Sequence, residues 1–274
     1  MPAAQLNRER ITRIARLLQG VPDLPVLDYA GNLFPPPGAS GALEYFFGIV
    51  LHQFGFWTDD GRRYAAPMLA RIEGRTLKGS DFVWKAGARA AEREPDFFDP
   101  AFQAVISPRT FAAAFAEDAG TCPLPMFDAH VALSRSYGRD LLAQGLSPRG
   151  IVESVNAEDR PLNALLKVLS GVGGYREDPL RKKALLLALA LERRPERFLR
   201  VKDPLSWAPV VDYHNIRTAL RTGMVEPVGE PLRGKLRRRE FVTEEEERAV
   251  RAATFDAIAG LSEGSGAGVA TLAA

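Results

Sequence analysis

Asp203-Pro-Leu-Ser-Trp207-Ala-Pro-Val-Val-Asp212-Tyr213-His214-Asn-Ile-Arg217-Thr-Ala-Leu-Arg221-Thr-Gly223-Met-Val-Glu226 is the stretch on which the reading of this chain turns. An apolar pair, Val210-Val211, runs into an acid, and Pro209 fixes its approach. Asp212 predicts a helix start, because its carboxylate can accept the first free amide protons of a helix opening at Tyr213. His214, Arg217 and Arg221 recur behind it at helical spacing. A carboxylate fixed at a helix start, with cations on the following turns, suits the stabilisation of positive charge that develops beside an anionic substrate. The same residues also describe a plain structural cap followed by arginines on a solvated face, so the local pattern leaves both uses open.

The rest of the chain surrounds that helix with more helices. Its 274 residues are 46% hydrophobic and 26% charged, which fits a soluble globular protein with a sizeable core. Thirty-six Lys and Arg stand against 34 Asp and Glu. A net charge of +2 argues against a dedicated nucleic-acid binder, which would carry a strong basic excess. Cys122 is the only cysteine and His52, His130 and His214 the only histidines, so neither a disulfide nor a metal cluster is expected. No signal-like segment opens the chain and no run of 18 apolar residues occurs, so a cytoplasmic setting is expected.

Periodicity predicts helices over 3–19, 43–55, 80–94, 107–117, 124–144 and 161–170, with Leu162, Leu165, Leu166 and Leu169 as the clearest stripe. Residues 184–191 are apolar on every side and read as a central helix. Thr243-Glu-Glu-Glu246 is a capping-box pattern opening a last helix through about residue 261. Residues 21–39 read as an irregular connector, 65–77 as helical or irregular, and the Gly/Ser/Ala-rich tail 262–274 as disordered. No convincing strand alternation is seen, so an all-α chain forming a single domain over 1–274 is expected. His52 is either a core histidine or the wall of an aromatic pocket with Phe54, Phe56 and Trp57. Arg233-Gly-Lys235-Leu-Arg237-Arg238-Arg239 is either a solvated loop or a phosphate contact.

Val211-Asp212-x-His214-x-x-Arg217-x-x-x-Arg221 resembles the segment that carries the catalytic aspartate in helix-hairpin-helix DNA glycosylases. Leu169-Ser-Gly-Val-Gly-Gly174 resembles the glycine turn that family places upstream. A longer likeness spans roughly residues 43–261. It rests on Phe54-Gly-Phe-Trp57, Lys78-Gly-Ser-Asp-Phe82-Val-Trp84, Pro125-Met126, Glu153-Ser154, Leu162-x-x-Leu165-Leu166, Tyr175-Arg176-x-Asp178, Lys182-Lys183-Ala184, Lys202-Asp203 and Asp212-Tyr213. In their order and spacing these resemble the queuosine-salvage proteins, the queuosine 5′-phosphate N-glycosylase/hydrolase family. The sequence departs from that family at His52-Gln53 and after Tyr213.

The resemblance implies an all-α, DNA-glycosylase-like fold with a substrate cleft between helical lobes, and release of the base queuine from queuosine 5′-monophosphate without metal or cofactor. By position it makes Asp212 the catalytic aspartate. Asp203 is the candidate acceptor for the donor groups of the base. Trp207 and Phe82 are candidate stacking walls, with His52, Trp57 and Trp84 nearby. Lys183, Arg217 and the basic cluster are candidates for the 5′-phosphate, and Tyr213 and His214 complete the expected substrate-binding set. The expected partners are a small nucleotide and its base, with neither membrane nor nucleic acid. Two other functions stay open: a DNA-base glycosylase, which would flip a base out of a duplex, and a helical module that binds a modified nucleoside without catalysis.

Overall fold

The computed structural model describes residues 3–21 and 26–269. In chain order it contains β1 (Ala4–Leu6), α1 (Arg8–Leu18), α2 (Ala42–Ile49), β2 (Trp57–Asp59), β3 (Tyr64–Pro67), β4 (Leu69–Ile72), β5 (Arg75–Lys78), α3 (Gly79–Arg93) and α4 (Pro100–Val105). There follow α5 (Pro108–Ala114), α6 (Phe127–Ala143), α7 (Pro148–Ala157), α8 (Pro161–Leu169), α9 (Lys182–Arg193), α10 (Tyr213–Thr222), β6 (Val225–Pro227), α11 (Glu230–Arg238) and α12 (Glu244–Ser265). The chain is mostly helical, as expected. The departure is a set of two-stranded ribbons, β1 with β6, β2 with β3 and β4 with β5.

Helix starts follow local chemistry closely. Ser107 and Ser147 cap α5 and α7 with proline in the first turn, Asp99 does the same for α4, and Thr243 with Glu246 closes a full capping box on α12. The α8 stripe is buried throughout, Leu162, Leu165, Leu166 and Leu169 all facing inward. Each such leucine contributes about 1.5–3 kcal/mol.

The strands are where the helical expectation fails. Residues 3–6 pair antiparallel with 225–227, in register Gln5 to Glu226, so α1 starts only after Asn7, whose side chain caps it. Residues 69–78 form a hairpin rather than a helix; Ala70 and Ile72 point inward while Leu69 and Arg71 point out. The predicted helix over 43–55 stops at Ile49, passes through a 3-10 turn over Val50–His52, and leaves Phe54 and Phe56 in irregular chain. The Ser80 hydroxyl, in the first turn of α3, donates to Gln53 Oε1. Leu142 on α6 is exposed. Residues 262–265, expected in a disordered tail, belong to α12, which runs to Ser265 and ends on Gly266 in the left-handed region; residues 270–274 of that expected tail lie outside the described ones.

The chain separates into two compact units. One comprises Met1–Leu27, Asp59–Ala65 and Trp207–Ala274, the other Asp28–Thr58 and Ala66–Ser206. The first packs α1, α10, α11 and α12 with the β1–β6 ribbon around Ile11, Ala15, Ala219, Met224, Val225, Leu232 and Ala257. The second holds α2 to α9 around a dense aromatic core. Gly138 lets α6 and α4 touch backbone to backbone: a Cβ there would lie 2.3 Å from the Ala104 amide nitrogen. In the same unit the buried Arg194 guanidinium ties down the proline-rich connector. It donates to the carbonyls of Tyr29, Pro35 and Pro36 and lies 3.0 Å from Glu196, which accepts from the Gly38 amide.

Candidate functional site

Asp212 is the N-cap that the sequence predicted. Its Oδ1 accepts from the Asn215 amide at 2.9 Å, while Asn215 Nδ2 donates back to the Val210 carbonyl at 2.7 Å. The carboxylate is therefore oriented by one oxygen, and Oδ2 has no hydrogen-bond partner among the described residues. Tyr213, His214 and Arg217 gather beside it in the same unit. The Tyr213 and His214 rings lie 3.9 Å apart, and Arg217 Nη2 donates to His214 Nδ1 at 3.0 Å while its guanidinium sits 5.9 Å from the Tyr213 ring. Arginine can only donate, so His214 Nδ1 accepts and the ring's proton sits on Nε2 when it is neutral. Trp207, in that unit too, is half-buried.

Asp203, in the other unit, is a different kind of cap. Its two oxygens accept from the Leu162 and Asn163 amides at 3.0 Å each, at the start of α8. Burial pushes its carboxyl up, but the Ser206 hydroxyl and those amides outweigh it and hold it below the usual carboxylate range. With both oxygens on backbone amides, Asp203 anchors a helix, and the base-recognition role expected of it has no uncommitted oxygen to work with.

The aromatic walls also divide. Phe82 is fully buried, and Trp84 packs among Tyr29, Phe34, Tyr45 and Phe46, so both are core rather than stacking surface. Trp57 stays half-buried on β2. The half-buried Phe54 ring is engaged within the protein: the Lys183 ammonium stands 4.5 Å over it and the His130 ring lies 4.3 Å away, tilted by 31°. Lys183 has no ion-pair partner among the described residues. Burial, helped by the charge of Lys182, pushes its ammonium down to about 8.

His52 is enclosed. Its Nδ1 lies 3.1 Å from His130 Nδ1, and its Nε2 lies 3.4 Å from the Ser134 hydroxyl. Both nitrogens are engaged, so His52 has none to offer a ligand directly. Burial, the neighbouring ring and Lys183 hold His52 well below the usual histidine range; burial and Lys183 push His130 down to about 3, against the pull of the Pro125 backbone. Sequence reading missed His130 and Ser134. The signal was present, since they stand four residues apart on one face of α6, but nothing local announced that the third member would come from residue 52.

The glycine turn resembles a phosphate-binding hairpin in sequence but is internally filled. The Gly173 amide donates to Asp140 Oδ2 at 2.8 Å and the Gly174 amide to Glu177 Oε2 at 2.7 Å, with Arg176 bridging both acids. The basic cluster is on helix α11 rather than a loop, and Arg237, Arg238 and Lys235 pair with Glu230, Glu240 and Glu246. Two hollows among the described residues avoid the expected site. One of about 140 Å³, below Leu169 and Tyr175, is too small for a nucleotide. The other, about 600 Å³, is an open groove along α1 at Arg13 and Arg16. No three His, Cys, Asp or Glu side chains among the described residues are grouped to hold a metal ion, and no helix among them is long and apolar enough to cross a membrane.

No protein-family model matches this chain, and no curated protein matches it.

Proposed function

We propose that this protein hydrolyses the N-glycosidic bond of queuosine 5′-monophosphate and releases queuine, with Asp212 as the catalytic carboxylate. The observation that carries the proposal is Asp212 itself, oriented through Oδ1 by the Asn215 amide with Oδ2 uncommitted. Breaking such a bond builds positive charge on the sugar, and an oriented carboxylate stabilises that oxocarbenium character, attacks it, or directs water to it. The base is a 7-deazapurine, with carbon at the position where a purine could be protonated, so more of the work falls on the sugar side. Arg217, on the same helix, supplies charge for the 5′-phosphate. The proposal includes the DNA-glycosylase-like arrangement with a substrate cleft that the family resemblance implies, a small-molecule partner and a cytoplasmic setting. Occupation of the Gly173 and Gly174 amides by Asp140 and Glu177 weighs against the DNA-glycosylase alternative.

The test is to incubate the protein and its Asp212→Asn variant with queuosine 5′-monophosphate and follow free queuine by chromatography and mass. Release by the wild type alone supports the proposal. No release by the folded wild-type protein overturns it, and duplexes carrying uracil, oxoguanine or alkylated bases then become the substrates to try.

A further inference from the structure

We infer that Ser134, His52 and His130 form one hydrogen-bonded relay that locks the two imidazoles into opposite tautomers and presents His130 Nε2 as a neutral hydrogen-bonding atom for the substrate's heterocycle. The last part rests on the nucleotide reading; the relay does not.

The geometry leaves few arrangements. Ser134 and His130 both lie on α6, and His52 enters from the 3-10 turn after α2. The two Nδ1 atoms face each other at 3.1 Å, and two neutral rings so placed hold one proton between those atoms. If His52 Nδ1 carries it, His52 Nε2 is bare and accepts from the Ser134 hydroxyl, and His130 carries its proton on Nε2. If His130 Nδ1 carries it, His52 holds its proton on Nε2 and donates to Ser134 Oγ, and His130 Nε2 is a bare acceptor. The same tautomer on both rings would place two protons or none between the facing nitrogens. A charged ring is disfavoured, since both are buried and Lys183, the nearby cation, has no acid paired with it.

The relay has one open end. His130 Nε2 is buried without a hydrogen-bond partner, as is Nε2 of Gln53, the residue after His52. Leaving a buried polar atom unpaired costs about 1–3 kcal/mol, so such an atom at the end of an otherwise satisfied chain invites a functional explanation. The His130 ring also lies tilted against the half-buried Phe54 ring. Whether His130 Nε2 donates or accepts follows from which of the two arrangements the Ser134–His52 contact holds, so Ser134 and His52 are positioning residues that act through His130.

The experiment is nitrogen-15 magnetic resonance on the full chain with labelled imidazoles at neutral pH, first alone and then with queuine, whose binding is followed separately by calorimetry. Three histidines make assignment direct. The expected result is one ring protonated on Nδ1, the other on Nε2, with a scalar coupling between the facing Nδ1 atoms, and movement of the His130 Nε2 resonance when queuine binds. Ser134→Ala should disturb the tautomer balance of both rings and weaken queuine about threefold to tenfold, the worth of one hydrogen bond. Identical tautomers, or a protonated ring, would overturn the relay and leave the nucleotide reading standing. Queuine that binds without moving His130 Nε2 would overturn the contact. Queuine that does not bind would overturn the contact together with the nucleotide reading, while opposite tautomers would still establish the relay.

Discussion

The unit of α2 to α9 and the unit of α1 and α10 to α12 use polar groups in opposite ways. In the first, several polar side chains are buried and held by groups far along the chain: Arg194 by three carbonyls, Asp203 by two amides, His52 by a ring and a hydroxyl. In the second, some charged pairs stand in solvent, as Arg237 does with Glu230. The difference teaches where loss of a group should unfold the protein and where it should only change chemistry. Arg194 offers the sharpest test. Arg194→Met keeps much of the side chain's length but strands the carbonyls of Tyr29, Pro35 and Pro36 and leaves Glu196 without its cation. Breaking a buried charge network by one partner costs about 3–5 kcal/mol. Urea denaturation should show that loss, and an unchanged midpoint would mean the connector is not held by Arg194.

The two capping aspartates carry the comparison to function. Asp212→Asn keeps an N-cap, so stability should hardly move, while loss of the charge should lower queuine release about a hundredfold or more. Asp203→Ala should do the reverse, with a loss of about 1 kcal/mol from the α8 cap and no comparable fall in turnover at saturating substrate. Parallel melting curves and turnover rates on both variants decide it. If activity followed stability in both, the distinction between a committed and an uncommitted carboxylate would fail.

Much of this was legible in local sequence. The Asp212 cap, the capping box at Thr243 and the leucines of α8 are each set by residues within one or two turns, and all three stand where the sequence put them. What was not legible depends on distance along the chain. β1 is three residues long and finds its partner 221 positions away, from Gln5 to Glu226, so no window of periodicity contains both. β4 hides its alternation behind an alanine facing in and a leucine facing out. The site fared likewise. Asp203 was noticed for its carboxylate, but the amides that occupy it lie 40 residues earlier. Phe82 and Trp84 were noticed as aromatic, a property that core and binding surface share.

The buried histidines add a pH dependence that the solvent-facing unit should lack. Burial holds His130 at about 3 and His52 well below the ordinary 6.5, so the folded protein keeps both rings neutral where the unfolded chain takes up protons. Between those limits the unfolded state binds more protons. Stability is therefore fully present above pH 6.5 and falls as pH drops toward 3, with a limiting slope of about 1.4 kcal/mol per pH unit for each ring. Denaturation midpoints from pH 7 to 4 should show that slope, and His130→Gln should flatten part of it. A wild-type curve flat from 7 to 5 would mean the rings take up protons in place.

The smallest effect belongs to the α11 pairs. Arg237 and Glu230 meet at 3.1 Å, but their side chains are 71% and 69% exposed. Water already solvates both charges, and holding two long side chains together costs conformational freedom. Arg237→Ala should leave the denaturation midpoint within error, at low salt as well as high. The same variant separates two uses of the basic cluster. If α11 serves only its own surface, turnover of queuosine 5′-monophosphate is unchanged too. A rise in KM, largest at low ionic strength, would instead make Arg237 one of the cations that hold the 5′-phosphate, because a phosphate contact, unlike a solvated ion pair, is lost in the bound state alone.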